Sequence, residues 1–429
     1  MKNLNYYISI LLILIGRKEN LERDEINELE YSHYDIQLEI DPDEQFISVN
    51  GNLKLLIDKD SVSELSFTLH EQLAIDNFSV NGDNSYQMDT ASEKIRWLPN
   101  AAQIYYRTKK LFNNSDIVNI NFSYEGKITK WPEWSANVIG SDWIEMGFYF
   151  PWFPSFYGDY TYRVSVEIHP PYNVFAIGEV SKIGNKKIFE TWHPVGDFII
   201  CASKNLTVRE TELLGHKFKI VNSTLSDETI DTIQTDIQQF YHLYANWFGD
   251  TEIRDMCLVI SKRDKGGGYS RKGGLFLGGV SDSSYLNNRI EFIRYVGHEI
   301  SHFWWYGAES NWEDWLNESF TEYSAMMLIK ELRGEDEFSA ILNVKKNKSN
   351  HSPPIWELPR NSSFAETVLY SKGPVLLNEL EEKIGNKNFL NLCKVRISNN
   401  IKNTSDFLNI LKDSEGQEIA NWFERSLKE

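Results

Sequence analysis

The chain has 429 residues, enough for two or three domains, and its 41% hydrophobic and 14% aromatic content is typical of a folded globular protein. Its net charge of −18 argues against a nucleic-acid partner, because phosphate backbones are bound by basic surfaces. Cys201, Cys257 and Cys393 are widely spaced, which argues against a disulfide framework or a thiolate zinc site and predicts buried free thiols.

Residues 1–30 are predicted to be a signal-like or anchor segment. Lys2 precedes an apolar run at residues 6–15, which is too short to cross a bilayer as a helix and resembles the hydrophobic region of a signal peptide. "LLILIG" is similar to the start of a lipoprotein signal, but Arg17 stands where the lipidated cysteine would be. We therefore expect an exported or cell-envelope protein rather than a cytoplasmic one, in which only the N-terminus could associate with a membrane.

Residues 31–205 are predicted to form an N-terminal β domain with a largely antiparallel sheet. Apolar residues alternate with polar ones in several stretches separated by turn sequences such as "NGDN" and "PPYN", and this two-residue period is typical of strands. The alternating residues are Tyr34, Ile36, Leu38 and Ile40, then Leu53, Leu55 and Ile57, and later Tyr162, Val164, Val166 and Ile168.

The pattern becomes helical after about residue 210. A long amphipathic helix is predicted between an N-cap at Ser226 or Asp227 and a stop at Gly249. A buried strand in "EIRDMCLVIS", a glycine-rich segment "KGGGYSRKGGLFLGG" and two helices at about 287–306 and 313–332 follow. We assign residues 206–375 to a catalytic domain and residues 376–429 to a short helical tail.

The sequence "HEISH" places His298 and His302 four residues apart, so that one helix face presents both imidazoles to a common point. Two imidazoles suit Zn²⁺, and Glu299 between them could take a proton from water. A catalytic zinc site needs a third protein ligand. The acids downstream are Glu309, Glu313, Asp314, Glu318 and Glu322. The first two lie near the turn that leaves the helix, whereas the last two could both face it from the next helix.

"HEISH" followed by "WLNESFTEY" resembles the aminopeptidase N family of gluzincins, which includes the leukotriene hydrolases. The resemblance covers about residues 31–400. It implies an α+β fold, in which an N-terminal antiparallel β domain precedes a thermolysin-like, mainly helical catalytic domain. It further implies one Zn²⁺ per chain with Glu318 as the third ligand. The spacer between His302 and Glu318 has fifteen residues instead of the family's eighteen. With Glu318 as the ligand, Glu322 is expected to orient one of the histidines.

A second part of the resemblance is "VLYSKGPVLLNEL", which is similar to the family's Tyr-x-Lys-Gly helix start. It implies that the Tyr370 hydroxyl stabilises the oxyanion of the tetrahedral intermediate. The large C-terminal helical domain of many family members is expected to be missing, because the sequence stops soon after Tyr370.

The segment that departs from the family is "GGGYSRKGGLFLGG". Family aminopeptidases carry a GxMEN motif there, whose glutamate binds the α-amine of the substrate. Ser270 and Arg271 stand where the acid and the amide would be, and Glu145 is the nearest candidate for the family's second amine-binding acid. Arg271 and Lys272 would repel an ammonium and favour a carboxylate.

The peptide is therefore predicted to bind at four residues of this segment, namely Gly267, Gly268, Tyr269 and Arg271. The glycines would let a peptide approach the backbone closely.

Together these motifs predict a zinc metallopeptidase with a peptide substrate, in which Glu299 is the general base and N-terminus recognition is altered. Two alternatives stay open at this point. One is a non-catalytic peptide-binding protein on a peptidase fold, and the other is a zinc hydrolase of a non-peptide substrate.

Overall fold

The computed structural model describes residues 29–429 except 91–97, 133–136, 148, 157, 252, 254–255 and 264–266. The predicted signal-like or anchor segment therefore lies almost entirely outside the described residues. No helix in the described ranges is long and apolar enough to cross a membrane.

The N-terminal part of the chain is built from strands, as the alternating pattern predicts. They are β1 (Ser32–Asp41), β2 (Phe46–Leu56), β3 (Val62–His70), β4 (Ala74–Val80), β5 (Tyr86–Asp89), β6 (Ala101–Phe112), β7 (Ile117–Lys127), β8 (Val138–Ile139), β9 (Ile144–Met146), β10 (Tyr160–Ile168), β11 (Asn173–Ala176), β12 (Glu179–Ile183), β13 (Lys186–Glu190) and β14 (Ile200–Ser203).

These strands form sheets in the orders β12-β13-β10-β1-β2-β7-β4, β11-β14-β9-β8 and β3-β6-β5. Pairing is antiparallel apart from β1 with β10, which run parallel. The apolar residues of β1 all lie in the core, and its polar residues alternate with them toward the surface. The predicted antiparallel β domain is thus confirmed.

The rest of the chain combines a small sheet with helices. Its strands are β15 (Thr207–Leu213), β16 (His216–Asn222), β17 (Met256–Ile260), β18 (Gly267–Arg271) and β19 (Gly274–Gly278), in the order β15-β16-β17-β19-β18. Its helices are α1 (Asp227–Phe248), α2 (Asp282–Asn287), α3 (Arg289–Ser301), α4 (Trp315–Arg333), α5 (Glu335–Ser349), α6 (Gly373–Ile384), α7 (Asn386–Ser398), α8 (Thr404–Glu415) and α9 (Gln417–Lys428). A helical turn at Ala365–Thr367 and a π-helical turn at Val368–Lys372 lead into α6.

The sheet of β15–β19 is shared by two hydrophobic cores. In β17, Cys257 and Val259 face the core of the β domain, whereas Met256, Leu258 and Ile260 face the helices. Both faces of this strand are covered, so it is apolar throughout. The α+β fold class is confirmed, with the β domain on one side of this sheet and the helices on the other.

The predicted length of the helix that carries His298 was wrong. We expected a helix to about residue 306, but α3 ends at Ser301 and His302 caps it. The chain then turns so that the Trp304 indole donates to the Gly249 carbonyl and the Trp305 indole donates to Ser324 Oγ. The predicted N-cap at Ser226 and stop at Gly249 are both observed for α1.

Candidate active site

The three predicted zinc ligands lie close together. His298 lies one turn before the end of α3 and His302 caps it, while Glu318 comes from the first turn of α4. Glu318 Oε2 is 3.4 Å from His298 Nε2 and 3.8 Å from His302 Nε2. One ligand atom from each of the three residues lies within 4.8 Å of the others. Ligand atoms about 2.0–2.1 Å from one tetrahedral ion are roughly 3.3 Å apart, so these distances are close to those of a zinc site.

Both imidazoles are held with Nε2 toward Glu318. His298 Nδ1 lies 2.9 Å from Glu322 Oε2, and His302 Nδ1 lies 3.1 Å from the carbonyl of Trp305. Since a carboxylate and a carbonyl can only accept, each Nδ1 carries the proton and each Nε2 keeps its lone pair for a metal. Glu322 therefore occupies the orienting position that the sequence suggested.

The pocket fits a cation. Glu318 Oε2 is buried and accepts no hydrogen bond from the described side chains or backbone, which is costly for a carboxylate oxygen unless another ligand satisfies it. Although burial opposes it, the neighbouring carboxylates of Glu318 and Glu322, 3.4 Å and 2.9 Å from the imidazole nitrogens, raise the pKa of His298 to about 10. A site that stabilises a proton on this imidazole also favours a positive ion at the same place, and the nitrogen and carboxylate donors suit zinc.

Glu299 points toward β18. A Cβ built on Gly268 would lie 2.8 Å from Glu299 Oε1 and 2.7 Å from the carbonyl of Phe276, so only glycine lets the strand come this close. Gly268 thus leaves room for the Glu299 carboxylate next to the strand. Burial raises the pKa of Glu299 to about 7, which is suitable for a general base near neutral pH.

Tyr370 lies beside His298, with ring centroids 5.6 Å apart, in the π-helical turn before α6. Gly373 allows this placement, because a Cβ there would lie only 1.9 Å from Ser319 Oγ of α4. Burial and the charge of Glu318 raise the pKa of Tyr370 well above its usual value, so the phenol keeps its proton.

No sequence motif points to Lys345, which joins these groups from α5. Its ammonium is buried and lies 2.5 Å from Glu322 Oε1 and 2.6 Å from the carbonyl of Tyr370. Although burial opposes it, hydrogen bonding to His298 and the charge of Lys345 hold the pKa of Glu322 well below its usual range. Lys345 is one of three lysines at residues 345–348, and no motif distinguishes it from the other two.

The predicted peptide-binding residues lie together on β18, at the edge of the five-stranded sheet in the described part of the chain. β18 pairs with β19 on one side only, so its other edge can pair with an extended peptide. The Tyr269 hydroxyl donates to Glu145 Oε1 at 2.7 Å, which links this strand to β9. Glu145 is therefore close to the predicted peptide strand.

Residues 276–425 match the Peptidase family M1 domain. This stretch of the chain is therefore similar to an M1 peptidase domain. The match includes the predicted ligands, Glu299 and Tyr370, and it confirms the resemblance to the aminopeptidase N and leukotriene hydrolase family. A comparison with curated proteins finds no match.

Solved M1 structures share the fold along nearly the whole chain. The M1 zinc metallopeptidase from Deinococcus radiodurans is 16% identical, with a TM-score of 0.69 over 94% of this chain and 95% of that chain. A mutant of it bound to a Tyr-Ser-Ala substrate is similar, with 16% identity, a TM-score of 0.69 and 94% of each chain covered. Leukotriene A4 hydrolase from Saccharomyces cerevisiae is 18% identical, with a TM-score of 0.66 over 95% of this chain and 71% of that chain. The domain match is to peptidase family M1, and the solved structures show that the fold is shared.

Proposed function

We propose that this protein is a zinc-dependent peptidase that holds one Zn²⁺ per chain on His298, His302 and Glu318. The observation that carries the proposal is the convergence of two imidazole Nε2 atoms on an otherwise unsatisfied buried carboxylate oxygen, with Tyr370 beside His298. The M1 domain match over residues 276–425 and the solved structures of the same fold support it.

The chain's own residues supply the remaining chemistry. A zinc ion held by the three ligands would polarise a carbonyl and lower the pKa of a water molecule. Glu299 takes a proton from the attacking water and passes it to the leaving amine. The Tyr370 hydroxyl donates a hydrogen bond to the oxyanion, where charge develops only in the transition state. The free edge of β18 holds the main chain of the peptide beside Glu299.

Recognition of the substrate N-terminus is the part of the function in which this chain departs from family aminopeptidases. Glu145 is fully buried and already surrounded by donors. Its Oε1 faces Tyr269 and Asn137, and its Oε2 faces Ser261 and Trp143. A carboxylate with about four acceptor positions has none left for a substrate ammonium. We therefore propose a peptidase in which N-terminus recognition is altered.

The test combines metal content with turnover. Protein purified with zinc should hold one ion per chain and cleave an unstructured peptide mixture, with products read by mass. Glu299→Gln should lower kcat by a factor of about 10³ or more and keep the zinc, because Gln cannot accept the proton. Glu291→Gln, on an exposed position of the same helix, is the matched control and should behave as the parent. Zinc-loaded protein whose cleavage does not depend on Glu299 would contradict the proposal.

A further inference from the structure

Arg271 is a cationic side chain at the end of the strand that borders the general base. It is the last residue of β18, and its side chain is 21% exposed. Its guanidinium carbon lies 5.3 Å from the ring centroids of both Tyr149 and Tyr269. Two aromatic faces at this distance stabilise and orient a planar cation.

Two contacts hold the Arg271 guanidinium in place. Its Nη1 donates to the Ser270 carbonyl at 2.7 Å, and its Nε lies 3.6 Å from Asp197 Oδ2. Asp197 is itself buried, and its Oδ1 accepts the backbone N–H of Phe198 at 2.7 Å. These contacts leave the arginine preorganised, which lowers the entropy lost when it binds a ligand.

Lys272 is different, although the sequence suggested that it would act together with Arg271. Its ammonium lies 2.6 Å from Asp159 Oδ2, which neutralises it at the surface of the β domain. Arg271, by contrast, lies within β18 itself, with its guanidinium close to the rings of Tyr149 and Tyr269.

The position along β18 sets which part of the substrate would meet Arg271. Gly268 lies against Glu299, and Arg271 is three residues further along the strand. At about 3.4 Å per residue, this separation is roughly 10 Å. The side chain or blocking group of a residue one or two positions from the scissile bond spans that distance.

We propose that Arg271 binds a carboxylate carried by the N-terminal part of the substrate, so that the site favours peptides whose first residue or blocking group carries a carboxylate over peptides that begin with an uncharged residue. This inference rests on the proposed peptidase function. The carboxylate can come from an acidic first residue or from a dicarboxylic acyl group that blocks the amine, and both present the same planar acceptor to the guanidinium.

The test uses zinc-loaded protein and four peptides that share one C-terminal sequence. They begin with free alanine, acetylated alanine, free aspartate or succinylated alanine, and cut sites are read by mass. A charge-assisted hydrogen bond corresponds to roughly 10- to 100-fold in kcat/KM, so the aspartate or succinyl peptide should exceed the free alanine peptide by that factor. The faster of these two anionic peptides identifies the source of the carboxylate.

Arg271→Gln should reduce kcat/KM for the anionic peptides roughly 10- to 100-fold more than for the acetylated peptide. Lys272→Gln removes the same charge one residue away and should leave the preference unchanged. Thermal unfolding and zinc content show that each variant is folded. An equal loss for all four peptides in Arg271→Gln, or a parent enzyme that prefers free alanine, overturns the inference.

A separate measurement keeps this inference distinct from the proposed function. The four peptides are titrated calorimetrically into Glu299→Gln and into the double variant Glu299→Gln, Arg271→Gln. Tighter binding of the anionic peptides that disappears in the double variant supports the carboxylate site even if the parent cleaves none of them. Equal binding of all four peptides overturns it even if the parent is an active peptidase.

Discussion

At the scale of single residues, Tyr370 combines a protonated phenol with a position beside the ligand His298. Its ring lies 5.6 Å from the His298 ring, and burial keeps its pKa well above the usual value. A neutral phenol can donate a hydrogen bond to a developing oxyanion, whereas a phenolate could not.

Tyr370→Phe is therefore expected to lower kcat by about 10²- to 10³-fold and to leave KM and zinc content close to those of the parent. The variant removes one hydroxyl and keeps the ring that packs against His298, so the fold should be retained. Steady-state kinetics with the best-cleaved peptide and metal analysis check both points. A rise in KM with unchanged kcat would assign Tyr370 to substrate binding instead.

Glu145 is a single residue whose burial makes a prediction about pH. Burial raises the pKa of Glu145 above its usual value of 4.5, even though Ser261, Tyr269 and Trp143 donate hydrogen bonds to it. The folded state thus holds this proton to higher pH than the unfolded state does. Its contribution to stability is present below pH 4.5 and is lost as the pH rises through the folded pKa.

Glu145→Gln has no charge to bury, so its free energy of unfolding should rise relative to the parent as the pH increases above 4.5. The amide oxygen can face Trp143 and Ser261, while the amide nitrogen can donate to the Tyr269 hydroxyl. The amide nitrogen also faces the Asn137 NH₂ group, and the cost of that contact is the same at every pH. Urea unfolding at pH 4.5, 6 and 8 measures the difference. Glu179→Gln, at an exposed position in β12, is the control for loss of one negative charge. A difference that does not change with pH would show that Glu145 titrates alike in both states.

At the scale of secondary structure, α5 supports two parts of the site at once through Lys345. The helix brings one buried ammonium to Glu322 of α4 and to the Tyr370 carbonyl of the π-helical turn. A π-helical turn exposes carbonyls that lack their usual helical partner, and it often lies at a functional site. Lys345 thus couples the orientation of His298 to the placement of the Tyr370 backbone.

Lys345→Met is expected to leave Glu322 with Arg294, at 3.8 Å, as its nearest cation. Breaking a buried pair costs about 3–5 kcal/mol of folding free energy, and loss of an orienting partner typically weakens metal binding 10- to 100-fold. Chelator competition and urea unfolding measure the two effects. Lys346→Met, at the exposed neighbouring position, is the matched control. Unchanged zinc affinity in Lys345→Met would show that His298 is oriented without this lysine.

The elements also show what could be predicted from sequence. The long helix α1 was readable because its cap, its apolar period and its final glycine all agree. The end of α3 was not readable, because Trp304 and Trp305 leave the helix to donate to Gly249 and Ser324. That turn brings the Trp305 carbonyl to His302 Nδ1, so a tertiary contact decides where the helix ends.

At the scale of the whole molecule, local motifs predicted the three side chains that converge at the candidate metal site, but not the groups around them. "HEISH" and "WLNES" place each ligand by short-range helical geometry. Arg271 meets Asp197, and Lys345 meets Glu322, only after the chain has folded. Such pairs depend on how the β domain and helices pack, which periodicity does not report.

The shared sheet makes the two domains one structural unit. Val221, Cys257, Val259 and Phe276 belong to the sheet of the catalytic domain but pack in the core of the β domain. Contacts between charged groups add to this interface, since Lys272 reaches Asp159 and Arg271 reaches Asp197. Unfolding one domain would expose an apolar face of the sheet on which the other depends, which should make unfolding cooperative.

The three buried cysteines allow the cooperativity of unfolding to be measured directly. Cys201 lies in the core of the β domain, Cys257 in the shared sheet and Cys393 in the helical core. Pulse labelling of thiols across a urea gradient, with each site read by mass, should therefore give three transitions with the same midpoint. The parent protein suffices, because each cysteine lies in a different layer and needs no substitution. If Cys201 became reactive at clearly lower urea than Cys393, the β domain would unfold independently, and the apolar contacts of Val259 and Phe276 would be too weak to couple the two cores.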